Sequence, residues 1–219
     1  LRDQFRTVST YLDAARAYVR AGDESNAVRT LALARAIVRA LSVELAASAG
    51  LVRDGWQATA LDRALLERPE GRWAATEVGM VVPRQNGKGA VLEARELAGL
   101  YLFGDNLIVH TAHEFKTAME AFRRLWGLIE ATPDLSRKVK RKLENNNGWT
   151  IELTTRQRIL FIARSKGSGR GFSGDVVVFD EAYELPSKVV SALIPTMSAR
   201  PNPQIWYTSS APLPHQMSD

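Results

Sequence analysis

The sequence VVPRQNGKGA, residues 81–90, places a glycine and a lysine four residues after a short apolar run. In P-loops of the form G-x-x-x-x-G-K-[ST], backbone amides and the lysine hold the phosphates of a nucleotide. Gly87 and Lys88 match the second glycine and the lysine, whereas Val82 replaces the first glycine and Gly89 replaces the hydroxyl residue. The loop is therefore a candidate phosphate site in which Lys88 reaches the β and γ phosphates. The alternative is a glycine turn with a solvated lysine.

A pair of acids lies further along the chain, in the sequence DVVVFDEA. Four apolar residues precede Asp180 and Glu181, which predicts a buried strand whose carboxyl end carries both carboxylates. In parallel sheets, that edge lies beside the mouth of a P-loop. There Asp180 would hold Mg²⁺, directly or through water, and Glu181 would polarise the attacking water. Taken alone, such a pair is also compatible with a turn or a helix cap.

Three hydroxyl residues, Thr208, Ser209 and Ser210, end another apolar run in the sequence QIWYTSSAP. They would lie next to the acids if the two predicted strands are neighbours in the sheet. Hydroxyl groups in that position can sense whether a γ-phosphate is present. The alternative is a turn at the end of a strand.

From about residue 75 onward, strand-like apolar runs alternate with helical stripes. The candidate loop follows the run TEVGMVV and precedes a stripe of Ala90, Ala94, Leu97 and Tyr101 at helical spacing. A helix that begins at the loop would direct its backbone amides and the positive end of its dipole at an anion. The alternation predicts an α/β fold with a mostly parallel sheet and helices on both faces.

The N-terminal part of the chain has a different pattern. Residues 1–49 show two apolar stripes at helical spacing, separated by AGDES, in which Asp23 or Ser25 can cap the second helix. The two glycines of SAGLVRDG then break the pattern. The sequence therefore predicts an N-terminal helical hairpin, residues 1–49, followed by a P-loop domain, residues 50–219.

Two basic segments have more than one interpretation. RKVKRK, residues 137–142, is predicted to lie on a short helix, either as a solvated face or in contact with nucleic-acid phosphates. RSKGSGRGFSG places Arg164, Lys166 and Arg170 among four glycines. This second segment could offer an arginine finger to a neighbouring subunit, contact the DNA backbone, or form a plain solvated loop.

Composition narrows the class of protein. The chain has 219 residues, 45% of them hydrophobic, which is enough for a sizeable core. It contains no cysteine, so disulfides, thiolate metal sites and a cysteine nucleophile are excluded. No apolar run approaches the roughly 20 residues that span a bilayer, and we expect a cytoplasmic protein without a membrane partner. The net charge of +5 is compatible with a polyanionic partner. His110 and His113 are interpreted as structural.

Four segments occur in an order and at a spacing that closely resemble the ATPase domain of the large terminase subunit of tailed phages. They are PRQNGK, RSKGSGRGFSGD, VVVFDEAYEL and YTSSAP. The resemblance covers about residues 51–212 and leaves residues 1–49 uncovered. It implies an ASCE-type P-loop ATPase that uses ATP and Mg²⁺ and translocates double-stranded DNA into procapsids in a bacterial host cell. It also implies a homo-oligomeric ring on the portal protein, with the small terminase subunit as a further partner, although the isolated chain could be a monomer.

The same resemblance implies roles for individual residues. Arg84 is expected to contact the phosphates, and Thr208 to Ser210 are expected to couple hydrolysis to movement. Trp56 and Gln57 resemble the adenine-contacting pair of that family, with an aromatic core residue at a helix start as the alternative. The candidate catalytic residues are Glu181, Lys88, Arg84 and Arg170, and the candidate metal ligand is Asp180. The candidate nucleotide-binding residues are Arg84, Gln85, Asn86, Gly87, Lys88, Gly89, Trp56 and Gln57.

The sequence departs from the family pattern in two ways. Terminases often lack the first P-loop glycine, but Gly89 removes a hydroxyl that is a Mg²⁺ ligand in most P-loop enzymes. The metal would then depend on Asp180, the phosphates and water. Family members also carry a C-terminal nuclease domain, and no nuclease activity is expected from these residues. The alternatives to a motor are a nucleotide-binding assembly module with little or no hydrolysis and a helicase-like nucleic-acid ATPase.

Overall fold

Seven strands form one sheet in this computed structural model, which describes residues 2–51, 54–145, 148–164 and 174–210. The strands are β1 (Glu77–Val82), β2 (Leu107–Ala112), β3 (Val139–Asn145), β4 (Gly148–Leu153), β5 (Arg158–Ala163), β6 (Val176–Asp180) and β7 (Gln204–Ser210). Their order across the sheet is β1-β7-β6-β2-β5-β4-β3. The first five are mutually parallel, whereas β4 and β3 continue the sheet as antiparallel strands. The predicted mostly parallel sheet is confirmed.

Helices connect the strands and cover the sheet. They are α1 (Arg2–Arg20), α2 (Glu24–Ser48), α3 (Gly55–Ala64), α4 (Lys88–Ala98), α5 (Phe115–Ala131), α6 (Pro133–Ser136) and α7 (Ser187–Ser198). A π-helical turn, Gly99–Phe103, extends α4, and a short 3₁₀ helix, Ala182–Glu184, follows β6. Helix α4 begins at Lys88, immediately after the glycine loop, as the sequence predicts.

The two faces of the sheet bury different sets of apolar side chains. Successive strand residues point to opposite faces, so Ile108 belongs to the core beneath α3, α4 and α5, whereas Val109 belongs to the core on the other face. Phe179 of β6 and Met197 of α7 share that second core. A parallel strand buried on both faces is apolar at nearly every position, and β6 is buried throughout.

The N-terminal residues form the predicted helical hairpin. The Asp23 side chain caps α2 by accepting a hydrogen bond from the Asn26 backbone N–H at 3.1 Å. The C-terminal part of α2 contributes Leu45, Ala46 and Ala49 to the same core that α4 and the sheet build. The hairpin is therefore packed on the α/β part of the chain, and its division into a separate domain stays a prediction.

The basic run at residues 137–142 does not lie on a helix, so that prediction is wrong. Helix α6 ends at Ser136, and β3 pairs antiparallel with β4, with an irregularity in the register between Val139 and Arg141. Lys140 and Arg141 both bond to the Glu152 carboxylate, at 3.1 and 2.6 Å. Because β3 is an exposed edge strand, it buries no apolar face that could reveal its period, and its charges suit a protected edge.

A buried polar cluster fixes the start of β7, the strand between β1 and β6. Gln204 Oε1 accepts hydrogen bonds from Arg95 Nε at 3.0 Å and from Trp206 Nε1 at 2.9 Å. Gln204 Nε2 donates to the Ala64 carbonyl at 2.8 Å. Arg95 also donates to Asp105 at 2.8 Å and is fully buried. The cluster therefore links α3, α4 and β7 at the amino end of β7.

Replacing Arg95 is expected to destabilise the fold strongly. Arg95→Leu leaves the Asp105 carboxylate buried without its counter-charge, which costs about 3–5 kcal/mol in the free energy of unfolding. Adding Asp105→Asn should recover part of that loss, because burial already raises the pKa of Asp105 despite Arg95. Urea denaturation measures both variants, with Arg123→Leu on an exposed face of α5 as the control. A loss below about 1 kcal/mol for Arg95→Leu would contradict this account.

Candidate functional site

Three segments singled out by the sequence meet at one edge of the sheet. Strands β1, β7 and β6 are parallel neighbours, and they end at Val82, Ser210 and Asp180. The register pairs Val82 with Ser210, and Asp180 with Thr208. Since these carboxyl ends lie side by side, the glycine loop, the acids and the hydroxyls share one edge, where ligands of open α/β sheets bind.

The loop between β1 and α4 is open and sharply turned. Gln85 and Gly87 both adopt left-handed backbone conformations, with φ of 62° and 75°. Gly87 is the N-cap of α4, and Arg84, Gln85 and Asn86 are exposed. Such turns direct backbone N–H groups at a common point, and the α4 dipole adds positive potential there. The loop could hold a phosphate group.

Gln57 supports this loop from α3. Its Nε2 donates to the Gly87 carbonyl at 2.9 Å, and its Oε1 accepts from the Asp54 backbone N–H at 2.7 Å. A Cβ on Gly87 would overlap Gln57 Nε2, so the amide would have to move, and the positive φ independently favours glycine. Trp56 lies beside Gln57 at the start of α3 and is 37% exposed, so it is not an aromatic core residue.

Lys88 and Asp180 form an ion pair across the edge of the sheet. They are 92 positions apart in the sequence, and both side chains are largely buried. The Thr208 hydroxyl and the Glu181 backbone N–H each donate to the same Asp180 oxygen, Oδ1, at 3.0 Å. The loop lysine, the first acid and one of the three hydroxyl residues are therefore in direct contact, as the sequence predicts.

The environment keeps Asp180 ionised. Burial alone would raise the pKa of Asp180, but the charges of His110 and Lys88 and hydrogen bonds from Lys88 and Thr208 outweigh burial and lower the pKa. An ionised carboxylate beside a hydroxyl suits a hard divalent cation. No group of three or more potential ligand side chains occurs in the described residues, but Mg²⁺ commonly uses one or two carboxylates together with substrate phosphates.

Glu181 is held in a strained backbone conformation. Its φ and ψ are 56° and 51°, a left-handed geometry that a side chain with a Cβ disfavours. Arg164, just after β5, donates to the Asp180 carbonyl at 2.8 Å and to the Glu181 carbonyl at 2.9 Å. Strain of this kind persists only where the surroundings over-determine it, and it concentrates at functional sites.

The other predicted site residues have different placements. Ser209 donates to the Ser210 carbonyl at 2.8 Å, so Thr208 is the hydroxyl residue seen on Asp180. Arg164 bonds to its own chain and supports the backbone of the acids, and its role as an arginine finger stays a prediction. Lys166 and Arg170 lie outside the described residues.

Sequence reasoning missed several polar contacts around α4. His110 lies in β2, and its Nδ1 is 2.5 Å from Glu96 Oε1. Both residues are buried, which supports the interpretation of His110 as a structural residue. The sequence did not reveal Glu96 as its acidic partner. Arg124 Nε bonds to Glu93 Oε1 at 2.6 Å. The available signal was the presence of Glu93 and Glu96 in a helix whose other positions are mostly apolar, because a helix covered on several sides must pair such charges.

The fold and the edge define the class of the protein. Strand β1 leads through the glycine loop into α4, which begins at Lys88. Strand β6, which ends in the acids, lies two strands away from β1, and β7 lies between them. This is the arrangement of the ASCE-type P-loop fold.

In the described residues, no helix is both long and apolar enough to cross a bilayer.

Comparisons with solved structures place the fold more narrowly, in the ATPase domain of phage large terminases. The chain is similar to the large terminase of bacteriophage HK97, with a TM-score of 0.60, 18% identity, and coverage of 72% of this chain and 33% of that chain. It is also similar to the large terminase ATPase domain of Thermus phage P74-26, with a TM-score of 0.51, 20% identity, and coverage of 67% and 64%. A large terminase from a thermophilic bacteriophage gives a TM-score of 0.51 at 14% identity, with coverage of 71% and 37%.

These similarities confirm the resemblance at the level of the fold. The chain spans a third of the length of the HK97 structure. No protein-family model matches the sequence, and no curated protein is similar to it.

The strain at Glu181 leads to a stability prediction. At an ordinary position, alanine is more stable than glycine by about 0.4–1 kcal/mol. At a left-handed position the order reverses, because alanine meets a steric cost there that glycine avoids. We expect Glu181→Gly to be more stable than Glu181→Ala by about 0.5–1 kcal/mol in chemical denaturation. The two variants lose the same carboxylate, so equal stability or a more stable alanine variant would show that the backbone of Glu181 is unstrained.

Proposed function

We propose that this chain is the ATP-hydrolysing motor domain of a phage or prophage large terminase, which translocates double-stranded DNA into procapsids. The observation that carries the proposal is the ion pair of Lys88 and Asp180, since it joins the loop lysine to an acid two strands away in the sheet. The shared fold of the HK97 and P74-26 structures supports it.

The loop is suited to bind the triphosphate of ATP. Its exposed backbone between Arg84 and Gly87 leads directly into the N-terminus of α4, where anions are favoured. Lys88 already reaches across the edge to a negatively charged oxygen of Asp180, so the same side chain can contact the β and γ phosphates. Arg84 adds a second cation at the entrance to the loop, and Trp56 offers an exposed ring for the adenine.

Asp180 is the residue best placed to hold Mg²⁺. It is ionised, buried and oriented by Thr208, and Mg²⁺ bound there would neutralise phosphate charge and polarise the phosphoryl group. When Lys88 turns to the phosphates, Asp180 loses its cationic partner, which favours a metal ion in its place. Gly89 supplies no hydroxyl, so Asp180 carries a larger share of metal binding than in other P-loop sites.

Glu181 is the candidate general base. Its peptide unit is held by Arg164, and its backbone N–H is held by Asp180, so the carboxylate projects from a fixed point beside the metal ligand. A positioned carboxylate can accept the proton of an attacking water and contributes about 10²–10⁴-fold to rate.

Thr208 provides a route from hydrolysis to movement. Its hydroxyl donates a hydrogen bond to Asp180, so a change in the charges around Asp180 would alter this hydrogen bond at the end of β7. Ser209 and Ser210 continue that strand end and are proposed to pass the change on to the following residues. Arg170 is proposed to act as a finger in a neighbouring subunit of a ring, assembled with the portal protein and the small terminase subunit in the host cytoplasm.

A non-hydrolysing assembly module is the second candidate function. The observation that favours it is Gly89, because the loop lacks the usual metal-binding hydroxyl. A helicase-like ATPase has no supporting feature in the described residues. The three functions differ in steady-state turnover: a packaging motor is stimulated by double-stranded DNA, a helicase by single strands, and an assembly module shows little or no turnover.

Variants at Lys88 and Glu181 test the hydrolytic site. Lys88→Ala should lose both ATP binding and turnover, because Lys88 is placed to bring a full charge to the β and γ phosphates, whereas Arg84 lies at the entrance to the loop. Glu181→Gln should retain ATP binding and lose turnover by about 10²-fold or more, since an amide keeps the shape but accepts no proton. Fluorescent-nucleotide binding and phosphate release, with and without double-stranded DNA, measure both.

The same measurements can contradict the assignment. Unchanged turnover in Lys88→Ala removes the P-loop role of that residue. Loss of binding in Glu181→Gln equal to the loss of turnover assigns Glu181 a structural role. Binding without turnover in the parent chain, even when double-stranded DNA is present, favours the assembly module.

A further inference from the structure

A charged pair lies against the one position where the loop departs most from other P-loops. Glu93 follows Gly89 by one turn of α4, and its carboxylate accepts a hydrogen bond from Arg124 Nε of α5 at 2.6 Å. The Glu93 side chain is only 8% exposed, whereas Arg124 is 46% exposed. Arg124 is therefore anchored at its Nε and presents the outer part of its guanidinium to the surface beside α4.

Gly89 leaves room for this guanidinium. A Cβ built on Gly89 would lie 3.1 Å from Arg124 Nη2 and 3.4 Å from Glu93 Oε1. The first of these contacts is tighter than nine in ten real Cβ contacts, so a side chain at position 89 would require the guanidinium to move by a few tenths of an ångström. Gly89 does not have a left-handed backbone, so the close approach of the guanidinium is the feature of the structure that favours glycine there.

We propose that Arg124 is a nucleotide-contacting residue, whose guanidinium takes up the position beside the first turn of α4 that the hydroxyl residue occupies in other P-loops. The inference rests on the proposed function of the loop. In a P-loop, the hydroxyl of the residue after the lysine binds Mg²⁺, and Mg²⁺ in turn bridges the β and γ phosphates. A guanidinium in contact with that side-chain position is within reach of the same phosphate oxygens, to which it can donate two hydrogen bonds.

The contacts of Arg124 fit this role better than that of a surface ion pair. An exposed pair is held loosely and contributes little, but here the acidic partner is buried and fixes the arginine through a single nitrogen. The Nη2 atom lies beside the first turn of α4, 3.1 Å from where a Cβ of residue 89 would be. Burial raises the pKa of Glu93, and the hydrogen bond and charge of Arg124 counteract that effect, so the arginine stabilises the charged form of a buried carboxylate.

The test measures binding of a fluorescent ATP analogue and of the matching ADP analogue to the full chain, with EDTA and with Mg²⁺. Arg124→Ala should weaken metal-free ATP binding by about tenfold or more, and ADP binding less, because a charge-assisted contact to the terminal phosphates is lost. Arg123→Ala is the matched control, since it removes the same charge from the neighbouring, exposed position of α5. Arg124→Lys should recover only part of the affinity.

Two further variants separate contact from indirect effects. If Arg124 acts only by neutralising Glu93, then adding Glu93→Gln to Arg124→Ala restores ATP binding, and the proposal is wrong. If Arg124 contacts the phosphates, the loss persists in that double variant. Gly89→Ala should weaken ATP binding modestly in the parent but have no effect in the Arg124→Ala background, because the added methyl group acts by shifting the guanidinium.

Lys88→Ala distinguishes failure of this proposal from failure of the proposed function. If Lys88→Ala loses nucleotide while Arg124→Ala and Arg123→Ala bind like the parent, the loop is a nucleotide site and Arg124 is not part of it. If the parent binds no nucleotide, both the proposed function and the role of Arg124 are overturned.

Discussion

The ion pair of Lys88 and Asp180 joins parts of the chain that are 92 positions apart, and the rest of the site depends on it. It requires β7 to lie between β1 and β6, so that the carboxyl ends of the three strands form one edge. The buried cluster around Arg95 and Gln204 fixes the start of β7, and Thr208 at its other end bonds to Asp180. The strand is thus held at both ends, which positions the acid relative to the loop lysine.

The same edge carries features that oppose stability. Asp180 is a buried carboxylate, and Glu181 and Gly87 both have left-handed backbones. A neighbouring group stabilises each of these residues. Lys88 pairs with the charge of Asp180, Arg164 donates a hydrogen bond to the Glu181 carbonyl, and Gln57 donates one to the Gly87 carbonyl. Groups held in this way are already oriented before a ligand arrives, which reduces the reorganisation that binding or catalysis requires.

The sequence predicted the parts of the site that have local signatures. A glycine next to a lysine, two acids after an apolar run, and hydroxyls at a strand end are each readable within a few residues, and the alternation of strands and helices predicts the sheet that unites them. The contacts of Gln57, Arg164 and Arg124 were not predictable in this way, because their partners lie on distant elements and no local period marks them. The sequence predicts a helix where the basic strand β3 lies, because an exposed edge strand has no buried face whose apolar residues would show the two-residue period of a strand.

Hydrogen exchange measured by mass spectrometry, with and without Mg²⁺ and a slowly hydrolysed ATP analogue, tests the central claim most directly. If the loop, the acids and the hydroxyl strand end form one nucleotide site, the analogue should protect peptides covering residues 84–90, 180–182 and 208–210 together. The β3–β4 hairpin, at the far edge of the sheet, should be unchanged. Lys88→Ala should abolish protection in all three segments. Protection confined to one segment, or absent from all three in the parent chain, would contradict the account.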